Sequence, residues 1–189
     1  MTPIAEKIKT IFEKEFSQAP TLYYSPGRIN FIGEHIDYND GFVMPAAIDK
    51  GVWYAIAENN SDTIHFHSVD FNEKFSVAIN EVKKMTGWKN YVLSVVNEFV
   101  IKGFEIKGFN CVFGGNIANG AGISSSAAVE GGLAFGINQL FNFKINRKQL
   151  ALLCQRAEHN FPGVMCGIMD QYANMFGKKD HVILLDTKK

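Results

Sequence analysis

One stretch constrains the chain more than any other: Gly114-Gly115-Asn116-Ile117-Ala118-Asn119-Gly120-Ala121-Gly122-Ile123-Ser124-Ser125-Ser126-Ala127-Ala128. An apolar run that reads as a strand, Phe109–Phe113, leads into it. A long segment of apolar and small residues that reads as a buried helix, Ser124–Phe141, follows. Glycine lets a backbone come close to a ligand and take positive φ. The first N–H groups of a helix have no internal partner, and the helix dipole favours negative charge at that end. Free amides, a helix start and three hydroxyls together describe an anion site, for which a triphosphate is the natural guest. A flexible loop before a capped helix is the other reading of the same letters.

Two common phosphate motifs do not fit. A Walker A loop places Gly-Lys-Ser/Thr at its end, whereas Gly120 is followed by Ala121 and Gly122. A dinucleotide fingerprint needs G-x-G-x-x-G, and Gly120-Ala121-Gly122-Ile123-Ser124-Ser125 ends on serine.

A chain of 189 residues holds one substantial domain or two small ones. Thr2-Pro3 reads as a helix cap, with Ile4, Ile8, Ile11, Phe12 and Phe16 at helical spacing behind it. Thr21–Tyr24 and Ile29–Ile32 read as short extended pieces around a turn at Ser25-Pro26-Gly27. Val52–Glu58, Thr63–Ser68 and Phe75–Ile79 read as strands, and Trp88–Lys102 as a helix ending at Gly103. Asn146 caps a helix over Arg147–Asn160. Phe161–Gly167 reads as a loop, Met169–Phe176 as a short helix and Val182–Leu185 as a strand. Strands precede helices, which favours α+β over a doubly wound sheet.

Lys plus Arg equals Asp plus Glu at 19 each, so nothing suggests a polyanion such as nucleic acid as partner. A neutral chain must hold phosphate with a few placed groups. Cys111, Cys154 and Cys166 are odd in number and lie in apolar stretches, so three buried thiols are expected and no disulfide framework. The charged, amphipathic N-terminus does not read as a signal peptide, and no apolar run is long enough to be expected to span a bilayer as a helix. A cytoplasmic setting is the expectation.

The segment Gly27–Tyr38 interleaves Arg28, Asn30, Glu34, His35 and Asp37 with Ile29, Phe31, Ile32 and Ile36. Burying such groups unpaired is costly. They must pair with one another, face water or face a polar ligand such as a sugar, and the residues alone slightly favour an ion-pair network supporting a turn over a binding site. Asp170, in Cys166-Gly167-Ile168-Met169-Asp170-Gln171, reads as a helix N-cap unless Arg28 lies beside it. His65 and His67 share one strand face without a third ligand in evidence and read as surface residues.

Taken together, three segments resemble the galactokinases of the GHMP small-molecule kinase family. Gly27–Tyr38 matches G-R-x-N-x-I-G-E-H-x-D-Y at every fixed position. Gly120–Ala127 is similar to G-A-G-L-S-S-S-A with Ile123 for leucine, and Gly167–Gln171 matches G-I-M-D-Q. They occur in the family's order, and the resemblance runs from about Tyr23 to Asp186. It implies the α+β GHMP-kinase N-terminal domain, a mixed sheet packed with helices, over residues 1–189, with galactose recognition in 23–45 and the phosphate loop in 114–128. Ala118 stands where the family usually has proline. Family members continue into a second domain, and nucleotide and sugar meet between the two. The chain is therefore expected to be an N-terminal fragment, inactive alone and prone to self-association, of a protein that is a monomer when complete.

The resemblance also implies roles. Asp170 would accept the proton of the galactose C1 hydroxyl, and Arg28 would keep that carboxylate ionised and neutralise charge on the moving phosphoryl group. Glu34, His35, Ile36, Asp37 and Gly167 would bind the sugar. Ser68, Gly120, Ala121, Gly122, Ile123, Ser124, Ser125 and Ser126 would bind ATP, with Ser126 and Glu158 as Mg²⁺ ligands. The implied activity is ATP-dependent phosphorylation of galactose. A non-catalytic galactose and ATP sensor, and a kinase of a related sugar such as N-acetylgalactosamine, are the alternatives. The intact Ser124–Ala128 run favours a kinase over a sensor.

Overall fold

The computed structural model describes residues 1–117 and 122–188. Helix α1 spans Pro3–Phe16. Strands β1 (Thr21–Asn30), β2 (Phe42–Val43), β3 (Pro45–Glu58), β4 (Thr63–Ser68) and β5 (Glu73–Ala78) follow, and then helix α2 (Lys89–Ile101) and strand β6 (Phe109–Gly115). The C-terminal third holds α3 (Ser125–Leu140), α4 (Arg147–Asn160), α5 (Met169–Phe176) and β7 (Leu185–Asp186). No helix among the described residues is long and apolar enough to cross a membrane.

Five strands form one mixed sheet in the order β1-β3-β6-β4-β5, with β4 and β6 parallel and the other neighbours antiparallel. Strand β6 is central and covered on both faces. That is why Cys111–Phe113 reads as a continuous apolar run rather than an alternating one. Strand β3 alternates. Tyr54 and Ile56 face the large core with α2, α3 and α4, while Ala55 and Ala57 face Ile8 and Phe12 of α1 on the opposite side. Helix α1 starts as its letters suggest, with the Thr2 hydroxyl accepting from the Ala5 amide at 3.3 Å and proline in the first turn.

The small residues of α3 have a packing reason. A β-carbon on Gly132 would strike the Tyr54 ring, and one on Gly136 would lie 2.5 Å from the Ile56 side chain. The helix thus lies closer to the sheet than larger residues permit. Helix α4 is held at its start by a capping box between Asn146 and Gln149.

Several expectations change. Thr21–Asn30 is one strand, not two pieces around a turn. The Pro26 region is a bulge in its pairing with β3, between Pro26 and Arg28, and proline cannot donate to a ladder. Strand β3 starts at Pro45 rather than Val52, because its first half pairs with the far half of β1. The last strand is two residues, Leu185–Asp186, paired with β2 instead of the main sheet. His67 is buried and bonded through Nδ1 to Glu15 at 2.8 Å, so it is not a surface residue. Cys166 is only partly buried, unlike Cys111 and Cys154, although its surroundings still push the thiol up to about 12.

Candidate active site

Strand β1 carries Arg28 just past its bulge, and α5 carries Asp170 in its first turn. The two meet in a two-pronged pair. Arg28 Nε donates to Asp170 Oδ1 at 2.6 Å, and Nη2 donates to Oδ2 at 2.8 Å. Both side chains are mostly shielded from solvent, so the pair is screened less than a surface one. Asp170 is not the N-cap of α5; that residue is Ile168, and the carboxylate is free to turn to Arg28. The third prong, Arg28 Nη1, donates to the Gly122 carbonyl at 2.8 Å, and the Arg28 amide donates to the Ile123 carbonyl at 3.1 Å. Arg28 therefore ties the end of the glycine loop to the acid.

Ser124 stands at the start of α3 with φ 61°. Its hydroxyl makes no cap bond and donates to Asp170 Oδ2. Among the described residues Oδ2 thus accepts two bonds and Oδ1 one, which leaves Oδ1 with an open lone pair. Two residues on, the Ser126 hydroxyl faces the Glu158 carboxylate of α4 and favours its charged form. Glu158 accepts from Gln171 Nε2 at 2.7 Å and from the Cys166 thiol at 3.4 Å. Burial raises the Glu158 carboxyl above its usual range, against those hydrogen bonds. Ser125 opens α3 and is partly exposed. The predicted phosphate-loop positions Gly120 and Ala121, and also Ala118, lie outside the described residues. Gly122 has φ +70° and, among the described residues, no atom near a would-be β-carbon, and Ile123 spends its carbonyl on Arg28.

The Gly33–Gly41 segment folds over the same end of β1. Asn30 Nδ2 donates to Glu34 Oε1 at 3.0 Å, and His35 Nδ1 meets the Tyr38 hydroxyl at 2.8 Å. The Ile36 carbonyl accepts from the Asn39 and Gly41 amides, each at 3.1 Å, closing the turn. Asp37 Oδ2 accepts from the Met169 amide at 3.4 Å. A β-carbon on Gly167 would collide with that carboxylate. The bareness of Gly167 therefore gives room to Asp37, and through it joins the Glu34–Asp37 loop to the residue before Asp170.

One expected contact is corrected. Ser68 is completely buried at the end of β4, its hydroxyl accepting from the Phe71 amide at 3.5 Å, so it presents no surface to a nucleotide. What the letters did not reveal stands next to it. Phe71, 47% exposed, stacks on Trp88, and Trp88 packs on Phe113 of β6, the strand that enters the glycine loop. Asp70 fixes that strand end by accepting from the Gly115 amide at 2.9 Å. A groove of about 680 Å³ between β1, α3 and α5 is lined by Tyr23, Phe135, Arg147 and Asn174 but by neither Arg28 nor Asp170, so it is not the site.

Ser126 and Glu158 offer hard oxygen donors on facing helices, a pair of the kind Mg²⁺ takes. Among the described residues no group of three or more His, Cys, Asp or Glu could hold a metal. An ion at this place would draw its other ligands from phosphate and water, as Mg²⁺ does.

The Arg28–Asp170 pair and the serine-tipped helix beside it stand on a fold shared with small-molecule kinases. Residues 10–58 match the galactokinase galactose-binding signature, and residues 90–178 match the GHMP kinases N terminal domain. The chain carries the N-terminal domain fold of the GHMP kinases. Within them it is similar to galactokinases: that of Thermotoga petrophila is 42% identical over 86% of this chain and 45% of the relative. That of Clostridium acetobutylicum is 41% identical over 96% of this chain and 47% of the relative. The structure is similar to that of Lactococcus lactis galactokinase complexed with galactose, with a TM-score of 0.92, 34% identity and coverage of 97% of this chain and 49% of the other. The mevalonate kinase of Methanococcus jannaschii shares the fold at a TM-score of 0.78 and 21% identity, with coverage of 90% and 55%. The chain spans about half the length of the galactokinases it matches.

Proposed function

We propose that this chain is the N-terminal half of a galactokinase that moves the γ-phosphate of ATP to the C1 hydroxyl of galactose. The observation that carries this is the two-pronged Arg28–Asp170 pair at a helix start tipped by Ser124. In this reading the C1 hydroxyl approaches Asp170 Oδ1, the oxygen with an open lone pair. It passes its proton there as its oxygen attacks the γ-phosphorus and ADP leaves. Arg28 aligns the carboxylate and offsets charge on the phosphoryl oxygens. Such transfers depend chiefly on positioning and electrostatics, which a rigid pair supplies.

Glu34, His35 and Asp37 take the sugar hydroxyls, with Ile36 and Gly167 setting the backbone that carries them. The amides of the Gly120–Ser126 stretch take the phosphates, and the exposed Phe71 ring takes the face of the adenine. Ser126 and Glu158 would hold Mg²⁺, which would supply charge neutralisation on the phosphates. The three free thiols fit a reducing compartment such as the cytoplasm.

The test joins this chain to the C-terminal half of the Clostridium acetobutylicum enzyme and assays ATP consumption against a sugar panel. Galactose-dependent turnover is expected, with the 189-residue chain inactive alone. Binding of both ligands without turnover would replace the kinase with a sensor. A preference for N-acetylgalactosamine would move the substrate.

A further inference from the structure

Asn30 is the last residue of β1 and lies two positions beyond Arg28, so both side chains leave the strand on one face. Its Nδ2 donates to Glu34 Oε1 at 3.0 Å. Its Oδ1 is buried and has no partner among the described residues. An ionised carboxylate only accepts hydrogen bonds. The amide is therefore held with its nitrogen toward Glu34 and cannot turn over to relieve its oxygen. Buried unpaired acceptors are rare, and one that persists calls for a reason. The reason available here is the carboxylate of Glu34, which has this as its single side-chain hydrogen bond among the described residues. The donors on the same segment that could otherwise orient it are committed elsewhere: Arg28 to Asp170 and His35 to Tyr38.

We infer that Asn30 is a positioning residue that presents the Glu34 carboxylate to a ligand hydroxyl, at the cost of its own buried oxygen. For the identity of that ligand this rests on the galactose reading above. The loop carrying Glu34 is closed by the Asn39 and Gly41 amides on the Ile36 carbonyl, so those two amides report on its order.

The experiment compares the 189-residue chain with its Asn30→Ala and Asn30→Asp variants in two arms. Without sugar, Asn30→Ala speeds hydrogen exchange at Asn39 and Gly41 about tenfold and leaves α3 and α4 unchanged. In Asn30→Asp two carboxylates face each other, and one then binds a proton more tightly than usual. Corrected exchange at those amides is therefore fast at pH 8 and returns toward wild type at pH 5, where a shared proton restores a donor. In the second arm, with each form joined to the C-terminal half of the Clostridium acetobutylicum enzyme, galactose binds Asn30→Ala at least tenfold more weakly than wild type, and Asn30→Asp recovers affinity as pH falls. Loop exchange unchanged in Asn30→Ala, or no pH recovery in Asn30→Asp, would overturn the inference. Exchange behaving as stated while no joined form binds galactose would uphold Asn30 and remove galactose as the ligand.

Discussion

Arg28 uses three nitrogens at once, on two oxygens of Asp170 and on the Gly122 carbonyl. Lysine keeps the charge but has no planar fork, so Arg28→Lys is not a conservative change. Turnover of the joined enzyme should fall at least about tenfold with sugar affinity little altered, read from the kcat and KM for galactose. Glu130 poses a different question. It lies one helical turn from Ser126, is 0% exposed and has neither carboxyl oxygen paired among the described residues. Burial raises its carboxyl well above the usual range, and Glu158 adds to the effect. The folded chain therefore holds this proton at pH values where the unfolded chain has lost it. Stability falls as pH rises from the ordinary glutamate range toward the folded value, by at most about 1.4 kcal/mol per pH unit for one proton. Glu130→Gln should raise the melting temperature at pH 8, change it little at pH 5, and flatten the slope between them. A variant that melts lower than wild type at pH 8 would contradict this.

Among the elements, the start of α4 offers the simplest test. Asn146→Ala removes the side-chain half of the capping box, the bond that Asn146 Oδ1 accepts from the Gln149 amide, and should cost about 1 kcal/mol in chemical denaturation. Elements with local signals were legible in the sequence. Thr2-Pro3, Asn146 and the 3.6-residue spacing of Ile8 and Phe12 act within a few residues. What the letters could not give depends on contacts distant in sequence. The first half of β3 exists because it lies opposite Arg28–Asn30, and nothing in Pro45–Gly51 announces that. His67 reads as exposed until Glu15, from α1, closes over it. Ser68 and Phe71 trade places for the same reason: the fold buries the polar residue and exposes the ring. At the site, Arg28 and Asp170 are 142 positions apart. Their pairing was an expectation drawn from the resemblance, and it is now a geometry. That Ser124 bonds Asp170, and that Gly167 makes room for Asp37, were legible in neither composition nor spacing.

For the molecule as a whole, the short β2–β7 ribbon and the segment beside it carry Phe31, Ile32, Phe42 and Leu184, each more than half exposed. A cluster of this kind marks a surface built to be covered. The 189-residue chain is expected to self-associate in sedimentation velocity at tens of micromolar, roughly where weak apolar contacts become populated. Leu184→Ser should return it to monomer without lowering its melting temperature. Association unchanged in that variant would place the contact elsewhere.

The central claim is that Asp170, aligned by Arg28, takes the proton of the sugar hydroxyl during phosphoryl transfer. It is tested most directly by Asp170→Asn in the joined enzyme, with galactose affinity by calorimetry and formation of galactose 1-phosphate by phosphorus NMR measured on the same preparation. Product formation should fall by about 10²–10⁴-fold, the range for a lost acid–base group, while galactose binding stays within a few-fold of wild type. Undiminished product formation would contradict the account.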